Sequence, residues 1–215
     1  MVFKLYGSPL SGCTTRVATV LREKQVPFEF HPINLAKAEH KTSEYMAKNP
    51  FGVVPYIDDD GFILYESRAI ARYIATKYAA QGTPLLPSGD LHALALYDQA
   101  VSVEQSHFDG PAQGIRFETF VKSFRGLPLD EARLAELKAV LGGKLDVYEG
   151  ILGRQKYVAG DELTLADLFH LPCGASVKQV APELFSSRPH VAKWFESLES
   201  RPSWQAVKEN LTSTA

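Results

Sequence analysis

The stretch SPLSGCTTRV, residues 8–17, carries four hydroxyls and one thiol where an apolar strand signal gives way to a helix. A serine acts as a nucleophile only when a base and an orienting acid activate it. The flanks of these serines lack the G-x-S-x-G pattern of a hydrolase, and the sequence indicates no such base and acid. A hydroxyl here can instead donate a hydrogen bond to an anion, so the chemistry predicted for this stretch is electrostatic and not covalent.

Two further pairs of polar residues stand where they could bind a charged small molecule. Glu66 and Ser67 begin a predicted helix, where such residues either cap the helix or form an anion site with its N-terminal N–H groups. His40 and Lys41 lie in the polar stretch KAEHKTSE, which is typical of a solvated loop but also offers cationic groups. The residues alone leave both alternatives open for each pair.

The composition excludes several classes of function. The 215 residues carry a formal net charge of −2, which gives no basic excess for nucleic acid or an anionic membrane. The two cysteines, Cys13 and Cys173, supply neither a disulfide framework nor a zinc cluster, so we expect no metal and a reducing compartment. The sequence shows no apolar run of signal-peptide or membrane-span length. We therefore expect a cytoplasmic protein with a small-molecule or protein partner.

The elements that must position these residues follow from hydrophobic periodicity, which predicts the order βαβαββα over the first 80 residues. Strands are expected at 2–6, 28–33, 53–57 and 62–64, and helices at 14–25, 41–48 and 66–78. The first strand–helix–strand unit requires a crossover and hence a parallel pair. The sequence DDDG at 58–61 predicts a hairpin turn.

A stretch rich in glycine and proline, AAQGTPLLPSGD, predicts a linker after this part. Beyond it the 3.6-residue spacing predicts helices at 91–120, 130–152, 164–180, 189–199 and 202–210. The pattern Thr164-x-x-Asp167 predicts a capping box that starts a buried helix. The predicted architecture is an α/β domain at 1–80, a linker at 81–90 and an all-α domain at 91–215.

Several short motifs, in this order and at this spacing around the linker, resemble the glutathione S-transferases, most of all the phi class of plants and some fungi. They are YGSPLS at 6–11, HK at 40–41, NPFGVVP at 49–55, ESRAI at 66–70 and AGDELTLADL at 159–168. The resemblance covers essentially the whole chain. It implies a thioredoxin-like first domain that binds glutathione as a co-substrate, with no other cofactor.

The resemblance also implies which residues bind the two ends of glutathione. Glu66 takes the ammonium and Ser67 the carboxylate of the γ-glutamyl end, while His40 and Lys41 hold the glycyl carboxylate.

The middle of the tripeptide is expected at Val54-Pro55. A proline inside a strand signal favours an edge strand by itself. In thioredoxin-like folds the corresponding bond is cis, which is uncommon for X–Pro bonds in general, and it aims the backbone of Val54 at the cysteinyl residue. Phi-like sequences commonly carry glutamine, which helps bind glutathione, where this chain has Val53. The resemblance therefore implies either a weaker grip on glutathione or a different use of the site.

Ser11 occupies the catalytic position of the phi pattern Y-G-x-P-x-S, whereas the residues alone favour a plain N-cap. A hydrogen bond to a charged group contributes roughly 1.5–3 kcal/mol, and a helix N-terminus roughly 0.3–1 kcal/mol more. One pKa unit corresponds to about 1.4 kcal/mol, so together they lower the thiol pKa from about 8.5 by about one to two units. Glutathione would then bind as a thiolate without a protein base.

Cys13 is the alternative to Ser11. Some glutathione transferases use a cysteine near this position to form a mixed disulfide with glutathione and act as thiol transferases, and a thiol at a helix N-terminus is reactive. Cys13 comes two residues after the expected position, where helical geometry turns it away from the ligand that faces Ser11. A small buried side chain is the other interpretation of this cysteine.

The second substrate is expected to bind in a cleft between the domains, on apolar surface facing the sulfur. The candidates, each of which is equally typical of a core residue, are Leu10, Leu35, His107, Phe108, Ile115 and Phe117. The expected function is conjugation of the glutathione thiolate to hydrophobic electrophiles, with hydroperoxide reduction as a further activity. A non-catalytic carrier, or ligandin, of hydrophobic metabolites is the alternative. The family forms homodimers, and Phe51 in a loop is a candidate dimer contact.

Overall fold

The computed structural model describes residues 2–215, which fold as two compact units. One unit holds the chain up to Leu86 together with Arg201–Ala215, and the other spans Pro87–Ser200. The end of the chain thus packs with the first unit, whereas the sequence assigned all of 91–215 to the helical domain. Within residues 2–215 the structure contains no helix that is both long and apolar enough to cross a membrane.

The first unit is built around a mixed sheet. Its strands are β1 (Phe3–Gly7), β2 (Phe28–Pro32), β3 (Tyr56–Asp59) and β4 (Phe62–Tyr65), and its helices are α1 (Gly12–Glu23), α2 (Ser43–Met46), α3 (Ser67–Lys77) and, near the end of the chain, α12 (Pro202–Gln205). The strand order is β2-β1-β3-β4. β1 runs parallel to β2 and antiparallel to β3, and β4 is antiparallel to β3. This arrangement confirms the predicted crossover and the thioredoxin-like fold.

The boundaries of several predicted elements differ from expectation, and the helix predicted at 202–210 ends at Gln205. β3 begins at Tyr56 and not at residue 53, because Pro55 has no N–H to donate to a ladder. The helix predicted at 41–48 is a 3₁₀ turn at Glu39–Lys41 followed by the short α2. The hairpin prediction is confirmed, since Asp59 pairs with Phe62 across a two-residue loop whose φ angles, 56° and 88°, are both positive.

The helices pack the apolar faces that periodicity predicts. α1 contacts α3. The fully buried residues of the sheet and of these two helices include Leu5, Val17, Val20, Leu21, Ile57, Ile70 and Ile74. Burial of one such side chain stabilises the fold by roughly 1.5–3 kcal/mol. Because α1 and α3 pack against each other, this contact fixes the position of one helix relative to the other.

Residues near the end of the chain close the open edge of β2. The N–H of Phe28 donates to Thr214 Oγ1 at 3.0 Å, and the N–H of Phe30 donates to Ser213 Oγ at 2.8 Å. The N–H of Thr214 donates in return to the Phe28 carbonyl at 2.8 Å. A bidentate ion pair anchors this segment on α1. Nε and Nη2 of Arg201 donate to the Glu23 carboxylate at 2.5 and 2.7 Å.

The second unit is helical. Its α-helices are α4 (Leu91–Val103), α5 (Gly110–Arg116), α6 (Lys122–Phe124), α7 (Glu131–Leu152), α8 (Leu165–Phe169), α9 (Leu171–Val180), α10 (Glu183–Ser186) and α11 (Pro189–Glu199). Two π-helical segments, Glu104–Asp109 and Phe117–Val121, join α4, α5 and α6 into one run. The first lies just before Pro111, which cannot donate the hydrogen bond that an α-helix requires.

The predicted capping box is present at the start of α8. The Asp167 carboxylate accepts from the N–H of Thr164 at 2.9 Å, and the Thr164 side chain accepts in return from the N–H of Asp167. Asp167 also accepts from the N–H of Val158 and from Trp194 Nε1, both at 3.0 Å. The carboxylate is fully buried, so these hydrogen bonds replace its hydration.

Candidate active site

Ser11 is the N-cap of α1 and lies in extended backbone conformation, with φ −93° and ψ 120°. Its hydroxyl oxygen accepts from the N–H of Thr14 at 3.4 Å, and its carbonyl accepts from the N–H groups of Thr14 and Thr15 at 3.0 Å. The side chain is partly exposed. Because the oxygen serves as the acceptor, the hydroxyl proton can be donated to an anion. Ser11 can therefore cap α1 through its oxygen and donate its hydroxyl proton to an anion at the same time.

The other hydroxyls of this stretch hold the turn between β1 and α1. Thr14 Oγ1 accepts from the N–H of Ser8 at 3.2 Å, and the Thr15 hydroxyl donates to a carbonyl one turn back at 3.1 Å. A Cβ on Gly7 would lie 2.5 Å from the Thr14 side chain, so glycine allows β1 and α1 to approach closely. Ser8, Thr14 and Thr15 are buried, and of the four hydroxyls only that of Ser11 is partly exposed.

Cys13 lies in the first turn of α1 and is partly exposed, unlike Cys173, which is 2% exposed. The Sγ atom of Cys13 is 3.5 Å from Nη1 of Arg16. The same Nη1 donates to Ser67 Oγ at 2.9 Å. Arg16 itself is 1% exposed. The thiol therefore contacts a buried cation and is not enclosed in the apolar core.

Glu66 and Ser67 mark the N-terminus of α3. Glu66 is exposed, has φ 71° and ψ 107°, and makes no capping hydrogen bond with its side chain. A positive φ at a non-glycine residue costs of order 1–3 kcal/mol, and such residues cluster at functional sites. Ser67 is 5% exposed and is the first residue of the helix. The side chain of Glu66 does not cap the helix, which favours its interpretation as a ligand-binding residue.

His40 and Lys41 lie in the 3₁₀ turn at Glu39–Lys41. Within residues 2–215, Nδ1 of His40 is buried without a hydrogen-bond partner. Burial and the neighbouring Lys41 charge lower the pKa of His40. Gly52 has φ 58°, and a Cβ there would lie 3.0 Å from Lys41 Nζ and 3.1 Å from the His40 carbonyl. Glycine therefore lets the loop before β3 pack against this pair.

Two buried side chains hold the backbone of the loop before β3. The carbonyl of Val53 accepts from the Tyr45 hydroxyl at 2.9 Å and from Asn49 Nδ2 at 2.7 Å. The Val53 side chain itself is 47% exposed. The Val54–Pro55 peptide bond is cis, as the resemblance implies. The position at which phi-like sequences carry glutamine therefore faces outward from a rigid backbone.

The six apolar-site candidates divide between the two units. In the first unit Leu10 is 61% exposed and Leu35 is partly buried. In the second unit His107 and Phe117 are exposed, whereas Phe108 and Ile115 are fully buried. The Phe108 ring packs against the His170 ring with centroids 4.6 Å apart. Phe108 and Ile115 are thus core residues of their unit. The sequence had allowed a core role for each of the six candidates.

Sequence reasoning missed three residues that shape this region. Arg16 contacts Ser67, and Tyr45 and Asn49 hold the Val53 carbonyl. Arg16 lies one helical turn before Val20 of the buried face of α1, and a cation on such a face needs a polar partner. That requirement was the one available signal. The partners are distant in sequence, so it could not name them.

Comparison with known proteins identifies the family. The glutathione S-transferase N-terminal domain matches residues 1–76, and the C-terminal domain matches residues 115–202. A glutathione S-transferase of Arabidopsis thaliana is 47% identical over 195 residues, which are 89% of each chain.

Solved structures agree with this assignment. A glutathione transferase of Populus trichocarpa superposes with a TM-score of 0.94 at 39% identity, over 98% of this chain and 100% of the other. Glutathione S-transferase I from mais, in complex with an atrazine glutathione conjugate, superposes with a TM-score of 0.90 at 37% identity, over 97% of each chain. The chain therefore belongs to the glutathione S-transferase family and is most like its phi class.

Proposed function

We propose that this glutathione transferase couples the thiolate of glutathione to hydrophobic electrophiles, and that the Ser11 hydroxyl donates the hydrogen bond that stabilises the thiolate. The observation that carries the proposal is a partly exposed serine at the N-cap of a 12-residue helix, with its oxygen engaged as an acceptor. Such a bond contributes roughly 1.5–3 kcal/mol, and the helix N-terminus roughly 0.3–1 kcal/mol. The hydrogen bond alone lowers the thiol pKa by about one to two units.

Glutathione is held at its two ends and in its middle. Glu66 binds the γ-glutamyl ammonium and Ser67 its carboxylate, and the unusual backbone of Glu66 supports a ligand-binding role. His40 and Lys41 bind the glycyl carboxylate, which the unpartnered Nδ1 of His40 supports. The backbone of Val54, before Pro55, pairs with the cysteinyl residue. The conjugate-bound relative from mais supports the same use of this fold.

The reaction forms a C–S bond while the leaving group departs with its electron pair. The exposed apolar side chain of Leu10 in the first unit is a candidate for contacting the electrophile. The same thiolate can reduce a hydroperoxide. Its sulfur attacks one peroxide oxygen and the alcohol leaves, and a second glutathione then converts the sulfenic acid to glutathione disulfide and water.

The test is the Ser11→Ala variant, assayed with glutathione and a generic aryl halide. Loss of about 1.5–3 kcal/mol of charged hydrogen bonding slows conjugation by roughly ten- to 150-fold. The pH–rate profile shifts upward by about one to two units. The glutathione Kd changes far less, because the ends of the tripeptide hold it. Full activity in Ser11→Ala would contradict the proposal.

A second candidate function, thiol transfer through Cys13, is favoured by the partial exposure of this thiol and its contact with Arg16. Cys13→Ser is therefore the matched variant, and we expect it to conjugate nearly as well as the native chain. Loss of activity in Cys13→Ser, or glutathione covalently attached to Cys13 during turnover, would replace the serine mechanism. A native chain that binds hydrophobic ligands but shows no conjugation would be a carrier.

We also infer a homodimer and a cytoplasmic location. The exposed Phe51 ring supports the first, and two cysteines in the thiol form support the second.

A further inference from the structure

Arg16 is a buried cation that joins the first helix to the third. It lies in α1 with 1% exposure, and its Nη1 donates to Ser67 Oγ at 2.9 Å, across 51 positions of sequence. Moving a guanidinium out of water is costly unless hydrogen bonds and negative charge compensate for it. The other buried residues of α1 are apolar or hydroxyl side chains and Glu23.

The direction of the Arg16–Ser67 hydrogen bond determines what Ser67 can do. Arginine has only donors, so the Ser67 oxygen must accept. The hydroxyl proton is then directed away from Arg16 and can be donated only to another acceptor. Hydrogen bonds in a chain polarise one another, so a hydroxyl that accepts from a cation becomes a stronger donor. Ser67 is thereby set up for an anion.

We propose that Arg16 is a positioning residue for the γ-glutamyl α-carboxylate of glutathione. It holds the Ser67 hydroxyl as a donor and places positive charge behind it, without touching the substrate. This inference rests on the proposed role of Ser67 in binding that carboxylate. Cys13 Sγ lies 3.5 Å from the same Nη1 of Arg16.

The experiment compares two ligands by calorimetry. One is glutathione, and the other is 4-aminobutanoyl-cysteinylglycine, which lacks only the α-carboxylate. In Arg16→Gln we expect the glutathione Kd to rise by about three- to tenfold, because a polarised hydrogen bond to an anion is weakened. The Kd of the analogue changes by less than about twofold. A merely structural role would weaken both ligands alike and would overturn the proposal.

The matched control is Arg22→Gln, the same change in the last turn of the same helix. It should leave the ratio of the two Kd values unchanged. Arg16 acts through Ser67, so adding Arg16→Gln to Ser67→Ala should cause no further loss of glutathione affinity. Additive losses in the double variant would contradict the inference.

Two failures are distinguishable. If Ser67→Ala leaves the glutathione Kd unchanged, the proposed glutathione site is wrong. If Ser67→Ala weakens binding while Arg16→Gln keeps the native ratio, only the role of Arg16 is wrong.

Removal of a buried arginine can prevent folding, so Arg16→Lys serves as a second variant with the same expected change in the ratio. The native chain gives an independent measurement if neither variant folds. Its Arg16 side-chain NMR signal should shift with glutathione and not with the analogue, and equal shifts with both ligands would overturn the proposal.

Discussion

At the scale of single residues, Val53 is the position at which this chain departs from the phi pattern. Its carbonyl is held by Tyr45 and Asn49, so the backbone is fixed independently of the side chain. The side chain is 47% exposed and has no polar group. Any hydrogen bond that a glutamine would give to glutathione is therefore missing here, while the loop that presents position 53 is intact.

We predict that Val53→Gln tightens glutathione binding. One added hydrogen bond of about 1 kcal/mol lowers the Kd by roughly fivefold. Isothermal calorimetry measures the change, and Val53→Met is the control, because it adds length without a donor or acceptor. Equal Kd values for the glutamine variant and the native chain would show that position 53 does not reach the tripeptide.

The sequence predicted some of these residues and could not predict others, for identifiable reasons. Ser11 could be named because an N-cap serine occupies a local pattern that a short motif carries. Arg16 could not be assigned to Ser67, because their contact depends on how α1 and α3 pack. The positive φ of Glu66 could not be predicted either, because glutamate has no preference for that conformation.

At the scale of elements, the start of α8 depends on one buried carboxylate. Asp167 accepts hydrogen bonds from two backbone N–H groups and from Trp194, and it also completes the capping box with Thr164. Burial raises the pKa of this carboxyl, and the hydrogen bonds oppose that shift. Three distinct segments of the second unit therefore meet at a single side chain.

We predict that Asp167→Ala destabilises the protein without changing the active-site chemistry. Buried donors left without an acceptor cost about 1–3 kcal/mol each, so we expect a loss of about 3 kcal/mol and a Tm lower by roughly 6–12 °C. Differential scanning calorimetry measures this change. Glu162→Ala, an exposed acid nearby, should shift stability by less than about 0.5 kcal/mol.

The assay at permissive temperature separates stability from catalysis. Folded Asp167→Ala should retain the native pH–rate profile. A shifted profile in the folded variant would assign this carboxylate a role in the reaction.

Periodicity predicted where elements exist better than where they begin and end. The sheet and the helices α1, α3, α7 and α11 match their apolar patterns closely, because burial of one face determines each of them. The late start of β3 and the first π segment of the 91–124 run reflect backbone hydrogen bonding around Pro55 and Pro111. The hydrophobic pattern does not encode these details.

At the scale of the whole molecule, we propose that Phe51 takes part in association with a second subunit. Its side chain is 66% exposed, and its ring packs edge-on against Tyr65, with centroids 5.9 Å apart. Burying such a ring in a second subunit contributes roughly 1.5–3 kcal/mol.

We predict a homodimer near twice 23.8 kDa in sedimentation at micromolar concentration. Phe51→Ser should shift the distribution toward monomer, because it removes the exposed ring. Phe62→Ser, a similar change at a ring that is 48% exposed on β4, should leave the dimer intact. A native chain that sediments only as a monomer would refute the prediction.

The segment that closes the edge of β2 determines when the first unit can mature during synthesis. Thr214 leaves the ribosome 186 positions after Phe28, its partner. Until then β2 exposes N–H and C=O groups that can pair with a neighbouring nascent chain. Domains usually finish folding in the order in which they are made. Here the sheet is translated first, but its β2 edge is paired only after the helical unit has been made. A chain truncated before Ser213 would therefore keep an unpaired strand edge that can aggregate.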